Sequence, residues 1–209
     1  MVANDALAAP FLHVARFDFE AGYEDECLEW LDEHFIPATL ESKGWLTAQR
    51  YRCLTGEPRE LILYGMASHP TDPEVSVIPL AHPVISRRMR NYAAITYEKV
   101  LEQSEAATDA VLINVVTTHV HRDRCEAFDS WYNKIHVPEI VACPGWLNSR
   151  RYHRIDALGS FLAIYELADA STPFATPEYE EAVGWDGYDR DLLGYHGFRI
   201  FERVTSISN

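Results

Sequence analysis

Trp131-Tyr132-Asn133-Lys134-Ile135-His136-Val137-Pro138 repeats, in unchanged register, the stretch Trp30-Leu31-Asp32-Glu33-His34-Phe35-Ile36-Pro37. The register runs on without a gap: Gly145-Trp146-Leu147 and Arg151-Tyr152 lie over Gly44-Trp45-Leu46 and Arg50-Tyr51. All these matches share one offset, the 101 positions from Trp30 to Trp131. Leu61/Leu162, Tyr64/Tyr165, Ala67/Ala168 and Val14/Val115 keep it. The chain reads as a tandem duplication with halves of about 100 residues, near the lower end of domain size. Two copies of so long a period do not make a solenoid.

Each half carries the same grammar. In the second, Val111–Thr118 is an apolar, β-branched strand. Arg122–His136 places Phe128, Trp131, Tyr132 and Ile135 on one face of an amphipathic helix. Pro138 interrupts that helix, since it has no N–H and pushes Val137 from helical angles. A short turn restarts at Pro138, and Cys143-Pro144-Gly145 ends it. Trp146–Ile155 and Phe161–Leu167 read as strands, Pro177–Leu192 as a second helix and Phe198–Ser206 as a strand. In the first half the strands are Phe11–Phe19, Leu46–Leu54, Leu61–Ala67 and one within Ala93–Leu101. Its helices are Tyr23–Phe35 and one within Val84–Asn91. His69–Pro83 and Glu102–Asp109 are linkers. The order β-α-β-β-α-β in each half is ferredoxin-like. An α+β fold of two tandem modules follows, 1–105 and 106–209, whose paired sheets bury faces that one copy would leave wet.

The 209 residues suffice for a sizeable core. With 18 Lys+Arg against 32 Asp+Glu, the net charge of −14 repels phosphate backbones and anionic lipid, so neither nucleic acid nor membrane is an expected partner. Met1–Pro10 has no leader character and no stretch is apolar for about 18 residues. The four cysteines are scattered. A cytoplasmic protein with reduced thiols is expected.

Trp131-Tyr132-Asn133, His136, Pro138-Glu139, Pro144-Gly145-Trp146 and Arg151-Tyr152 resemble the W-Y-x-x-x-H-x-P-E…P-G-[FW]…R-Y signature of EthD-like proteins, in the dimeric α+β barrel group. The sharpest motif covers Trp131–Tyr152; the order of elements covers both halves. Members of the group are typically dimers of one ferredoxin-like unit, so the chain looks like a fused dimer, an intramolecular dimeric α+β barrel. A further homodimer of the whole chain is admissible. The group that the chain resembles includes lactone isomerases, polyketide cyclases, decarboxylases, cofactor-free quinone-forming monooxygenases, haem-degrading or haem-binding proteins and stress-response proteins. Fold constrains function weakly here. The first half departs from the signature, with Phe35, Leu31 and Ala38 where the second has His136, Tyr132 and Glu139. The second half is therefore expected to carry the chemistry and the first to be a degenerate, structural copy.

His136 leads the candidates. At the edge of the apolar stripe, before Pro138, an imidazole can act as general acid or base, or cap carbonyls at the helix end. Tyr132 and Asn133 can donate to developing oxyanion charge. Glu139 either orients His136 or simply favours a helix N-terminus. Arg151 and Tyr152 point to opposite faces of a strand, so one of them faces a pocket. Asn114, equivalent to His13, lines a cavity, and Trp131 reads as core beside it with Trp30, Trp45 and Trp146. His119-x-His121 is a weak start for a metal site and reads better as a solvated turn. His119 joins the substrate-binding set of Glu139, Arg151, Tyr152, Asn114 and Trp131. His34 reads as buried and neutral. His153 has no informative context. Phosphate loops, nucleophile elbows and H-E-x-x-H are absent, so neither metal nor cofactor is expected. The expected activity is cofactor-independent proton transfer (isomerisation, decarboxylation or elimination) on a small apolar oxygenated or aromatic compound. The alternatives are a cofactor-free or haem-linked monooxygenase and a non-catalytic module for a hydrophobic ligand.

Overall fold

A computed structural model describes residues 5–69, 83–103, 110–183 and 193–208. The chain forms two compact units, Met1–Tyr97 with Arg203–Asn209, and Glu98–Glu202. The first unit contains β1 (Phe11–Phe19), α1 (Glu24–Trp30), α2 (Ile36–Leu40), β2 (Trp45–Cys53), β3 (Glu60–Met66) and α3 (Pro83–Arg88). The second contains β5 (Leu112–Val120), α4 (Cys125–Trp131), α5 (Val137–Ala142), β6 (Trp146–Arg154), β7 (Ser160–Leu167) and α6 (Pro177–Ala182). Two strands contribute to both units: β4 (Met89–Glu102) begins in the first and ends in the second, and β8 (Leu193–Ser208) does the reverse.

The offset seen in the sequence is kept by the backbone. In β1/β3 Phe11 pairs with Met66, and in β5/β7 Leu112 pairs with Leu167. Trp45 faces Met66 across a bulge at Leu46, and Trp146 faces Leu167 across a bulge at Leu147. Gly44 and Gly145 precede those tryptophans at φ +94 and +86, a region side chains avoid. A Cβ on Gly145 would stand 2.8 Å from Pro173 Cγ, so glycine is needed twice over. Each sheet is antiparallel and both its faces are largely buried, with β3 and β7 buried throughout. Against one face of β5–β7 lie Phe128, Trp131, Tyr132, Val137 and Ile140, packed on Val116, Phe161, Ala163 and Tyr165. Leu31, Ile36 and Leu40 make the matching core with Ala15, Ile62 and Tyr64.

The helix before β6 departs from expectation. Pro138 does not interrupt it: Val137 is helical at φ −62, ψ −48, and α5 continues to Ala142. The device is a π-helical turn, Tyr132–His136, in which Val137 N–H bonds Tyr132 O five residues back. An interior proline clashes with the carbonyl four residues before it. The π turn takes the place of the ordinary α turn just before Pro138. Leu31–Phe35 makes the same turn before Pro37. A π turn takes one residue more than an α turn, which shifts the inward positions by one. Ile135, expected on the buried stripe, is therefore 44% exposed, and His136 is turned inward at 5%. His34, expected to be buried, is exposed for the same reason. The helix expected over Pro177–Leu192 ends at Ala182 within the described residues; residues 184–192 lie outside them. So do 70–82 and 104–109, which include most of the expected linkers. No helix among the described residues is long and apolar enough to cross a membrane.

Candidate functional site

The residues singled out in Trp131–Tyr152 divide into two groups. His136 stacks on Trp131 with ring centroids 4.9 Å apart and planes 22° apart, and lies 4.7 Å from the Tyr132 ring. Tyr165 donates to the Tyr132 hydroxyl over 3.2 Å, and Asn114 pairs with Tyr165 across β5/β7. Burial pushes the Tyr132 phenol up, against the Tyr165 hydrogen bond and the Arg151 charge that lower it; burial raises Tyr165 further. Both stay protonated. Glu139, Tyr152 and His119 are not in this group. Glu139 is exposed on α5. Tyr152 is buried on the sheet face opposite Arg151, as strand alternation dictates. His119 lies beside Ser160, its Nδ1 2.7 Å from the hydroxyl. His121 is 79% exposed beside Asp123, a solvated turn. Among the described residues no group of three metal-ligating side chains is placed to hold an ion.

Arg151 ties the helix to the sheet. It is fully buried, and its Nη1 donates to Asp129 Oδ1 and, over 2.6 Å, to Asn133 Oδ1. Asp129 and Asn133 are four residues apart on the helix, so they present oxygens to one side. Aromatic rings surround the cation: its Cζ stands 4.5 Å from the Tyr132 centroid, 4.6 Å from Phe161 and 5.4 Å from Phe128. Each such contact contributes about 0.5–2 kcal/mol.

Asp129 has a second partner. His153 Nε2 lies 3.0 Å from Asp129 Oδ1. Burial raises the Asp129 carboxyl, but the His153 hydrogen bond and the Arg151 charge outweigh it and hold it below its ordinary value. Asp129 is thus a carboxylate gripped from inside by Arg151, holding an imidazole on its outer side. Nε2 is the donor in this pair, which leaves Nδ1 to accept a proton. Among the described residues no hydrogen bond engages Nδ1.

The His153–Asp129 pair lines a cleft of about 260 Å³ between the start of α4 and the β6–β7 turn, whose other walls include Cys125, Ala157, Leu158, Gly159 and Phe161. The His153 ring meets Phe161 edge-on at 4.9 Å. Gly159 keeps the cleft in shape: it has φ +82, and a Cβ there would lie 2.4 Å from Val120 O. Sequence reasoning passed over Asp129 and His153. Their signal was present, because the equivalent positions in the first half are Leu28 and Arg52. Titratable groups there distinguish the copies. The first unit has its own cleft in the same place, about 430 Å³, lined by Leu28, Arg52 and Glu60 with Asp18, Glu24 and Asp25. It has charge but no imidazole.

A haem does not fit the His153 cleft. Its volume falls below the ~300–1,000 Å³ of pockets for drug-sized ligands, and a macrocycle is larger than such ligands.

No family of known proteins matches the chain by sequence, and no curated protein does. Solved structures do resemble it in fold. An anthrone oxidase-like protein is 10% identical, with 98% of this chain and 96% of that one covered, at a TM-score of 0.70. A candidate monooxygenase of Lactobacillus acidophilus NCFM is 13% identical over 96% of both chains, at 0.63. A mutant chlorite dismutase of Candidatus Nitrospira defluvii is 10% identical, covering 93% of this chain and 91% of that one, at 0.66. At such identities the likeness is one of fold.

Proposed function

We propose that the chain is an EthD-like enzyme that removes a proton from a small, largely apolar, oxygenated compound, with His153 as the base and Asp129 as its orienting partner. The observation that carries this is the 3.0 Å contact between His153 and a carboxylate at the wall of a small, largely apolar cleft. A general base must come within hydrogen-bond reach of the proton it takes. His153 lines the cleft, so in this reading it takes the role that the signature suggests for His136. Tyr132 and Asn133 contact Arg151, which in turn holds Asp129, and His136 stacks behind them on Trp131 and Tyr132. Asp129 holds Nε2–H, which directs Nδ1 as acceptor and stabilises the imidazolium once the proton has moved. Phe161 and Leu158 offer apolar contact to a flat substrate.

The anion left on the substrate can be reprotonated elsewhere or expel a leaving group, which gives isomerisation or elimination; in decarboxylation the proton moves the other way, from the His153 imidazolium to the carbon that carbon dioxide leaves. A second reading is that the anion reacts with dioxygen. The likeness to a candidate monooxygenase and to an anthrone oxidase-like protein favours it. A panel of phenolic and enolisable aromatic compounds tests both, with product analysis and an oxygen electrode. Turnover that needs His153 supports the proposal, and oxygen uptake selects the second reading. Turnover that is indifferent to His153→Gln overturns both.

A further inference from the structure

The duplication allows the two buried arginines to be compared at equivalent positions. In the first unit Arg50 is fully engaged by carboxylates. Its Nε and Nη2 donate to Asp32 at 2.8 and 2.6 Å, and Nη1 to Glu60 Oε2 at 2.9 Å. Glu60 also accepts from Arg52 Nε at 3.2 Å, so its carboxylate sits between two cations at the wall of the first cleft. In the second unit each of these groups is exchanged: Asn133 stands for Asp32, Phe161 for Glu60 and His153 for Arg52. One carboxylate remains for Arg151, that of Asp129. Arg151 Nη2 is buried, and among the described residues it makes no hydrogen bond.

We infer that the second cleft takes a ligand bearing an anionic oxygen, a carboxylate or phenolate, which occupies the place that Glu60 fills in the first unit. This rests on the reading of the cleft as a substrate site and names its substrate class. Asp129 and Phe161 line the cleft and also touch the guanidinium, so they are the wall between ligand and Arg151. To reach Nη2 the oxygen displaces the Phe161 ring, which is buried against the guanidinium. The anion then lies against Arg151 Nη2, as the Glu60 carboxylate lies against Arg50. A charge-assisted bond to a buried guanidinium is the strong kind. A neutral analogue leaves it unmade, and sites built this way reject such analogues strongly.

The test is calorimetric binding of benzoate, salicylate and 1-naphthoate against their amides. The acids are expected to bind at least ~10-fold more tightly than the amides. Phe161→Glu supplies the carboxylate internally, as the first unit does, and is expected to abolish that preference. Asn133→Asp is nearly isosteric, copies Asp32, and is expected to reduce it. His153→Gln is expected to keep most of it, because Arg151 remains. Equal binding of acids and amides, no binding of any acid at millimolar concentration, or a preference untouched in a folded Asn133→Asp protein overturns the inference. The two readings fail separately. Acid preference with turnover indifferent to His153 sinks only the proton-transfer reading. Acids and amides bound alike, with turnover lost in His153→Gln, sinks only this inference.

Discussion

His153 and Asp129 are 24 residues apart in the chain, yet Nε2 and Oδ1 lie 3.0 Å apart. The pairing exists because His153 and Arg151, two residues apart on β6, both reach the Asp129 carboxylate on α4. In the proposed function Asp129 serves stability and chemistry at once, and the two roles can be separated by substitution.

Asp129→Asn keeps an oxygen for Arg151 but removes the charge. Turnover should fall ~10²-fold or more, as His153 loses its orientation. Stability should fall by roughly 1–3 kcal/mol, the worth of a charged hydrogen bond in a buried site. The wild-type carboxyl sits below its ordinary value in the folded state. Its contribution is thus full above the unfolded-state value and lost as pH falls through the folded one. Urea midpoints should drop as the solution is acidified below about pH 4, and the Asn variant should show a shallower drop.

His13 offers a second pH test. It is mostly buried, bonded through Nδ1 to Thr96 at 2.8 Å and set edge-on to Trp45 at 5.5 Å. Burial lowers its pKa to about 4. The unfolded chain takes up this proton first as pH falls, so stability is lost between about pH 6.5 and 4, by up to about 3 kcal/mol. His13→Asn, which installs the residue found at Asn114, should remove that part of the pH dependence. An unchanged profile in the variant would count against a buried neutral His13.

Two glycines separate backbone conformation from crowding. Gly22 has φ +86 with open space around it, whereas Gly159 at φ +82 faces Val120 O. Gly22→Ala should cost about 1 kcal/mol, the left-handed penalty alone. Gly159→Ala should cost clearly more, ~3 kcal/mol, because backbone must move. Thermal melts of the two variants under one condition decide this. Equal losses would mean that the turn beside the cleft yields easily.

Much of the fold was legible because the duplication left rigid markers. Trp45 and Trp146, each after a glycine of positive φ, hold the same bulge in both units. The π turns were not legible. A proline in a helical pattern reads as a breaker, and only the bonding of Val137 to Tyr132 shows how the chain absorbs it. That one-residue shift is why Ile135 and His34 face outward and His136 inward. Arg151, Asn133 and Tyr132 were singled out from the signature. Asp129 and His153 were not, because their partnership depends on strand β6 passing helix α4, and no local spacing encodes that.

If His153 takes the substrate's proton, its loss must cost rate and not fold. This is read from kcat/KM for wild type and His153→Gln on one substrate from the phenolic panel, with melting temperatures from the same preparations. The folded variant should be slower by ~10²–10⁴-fold in kcat/KM. A folded His153→Gln protein with near wild-type kcat/KM would show that another group takes the proton.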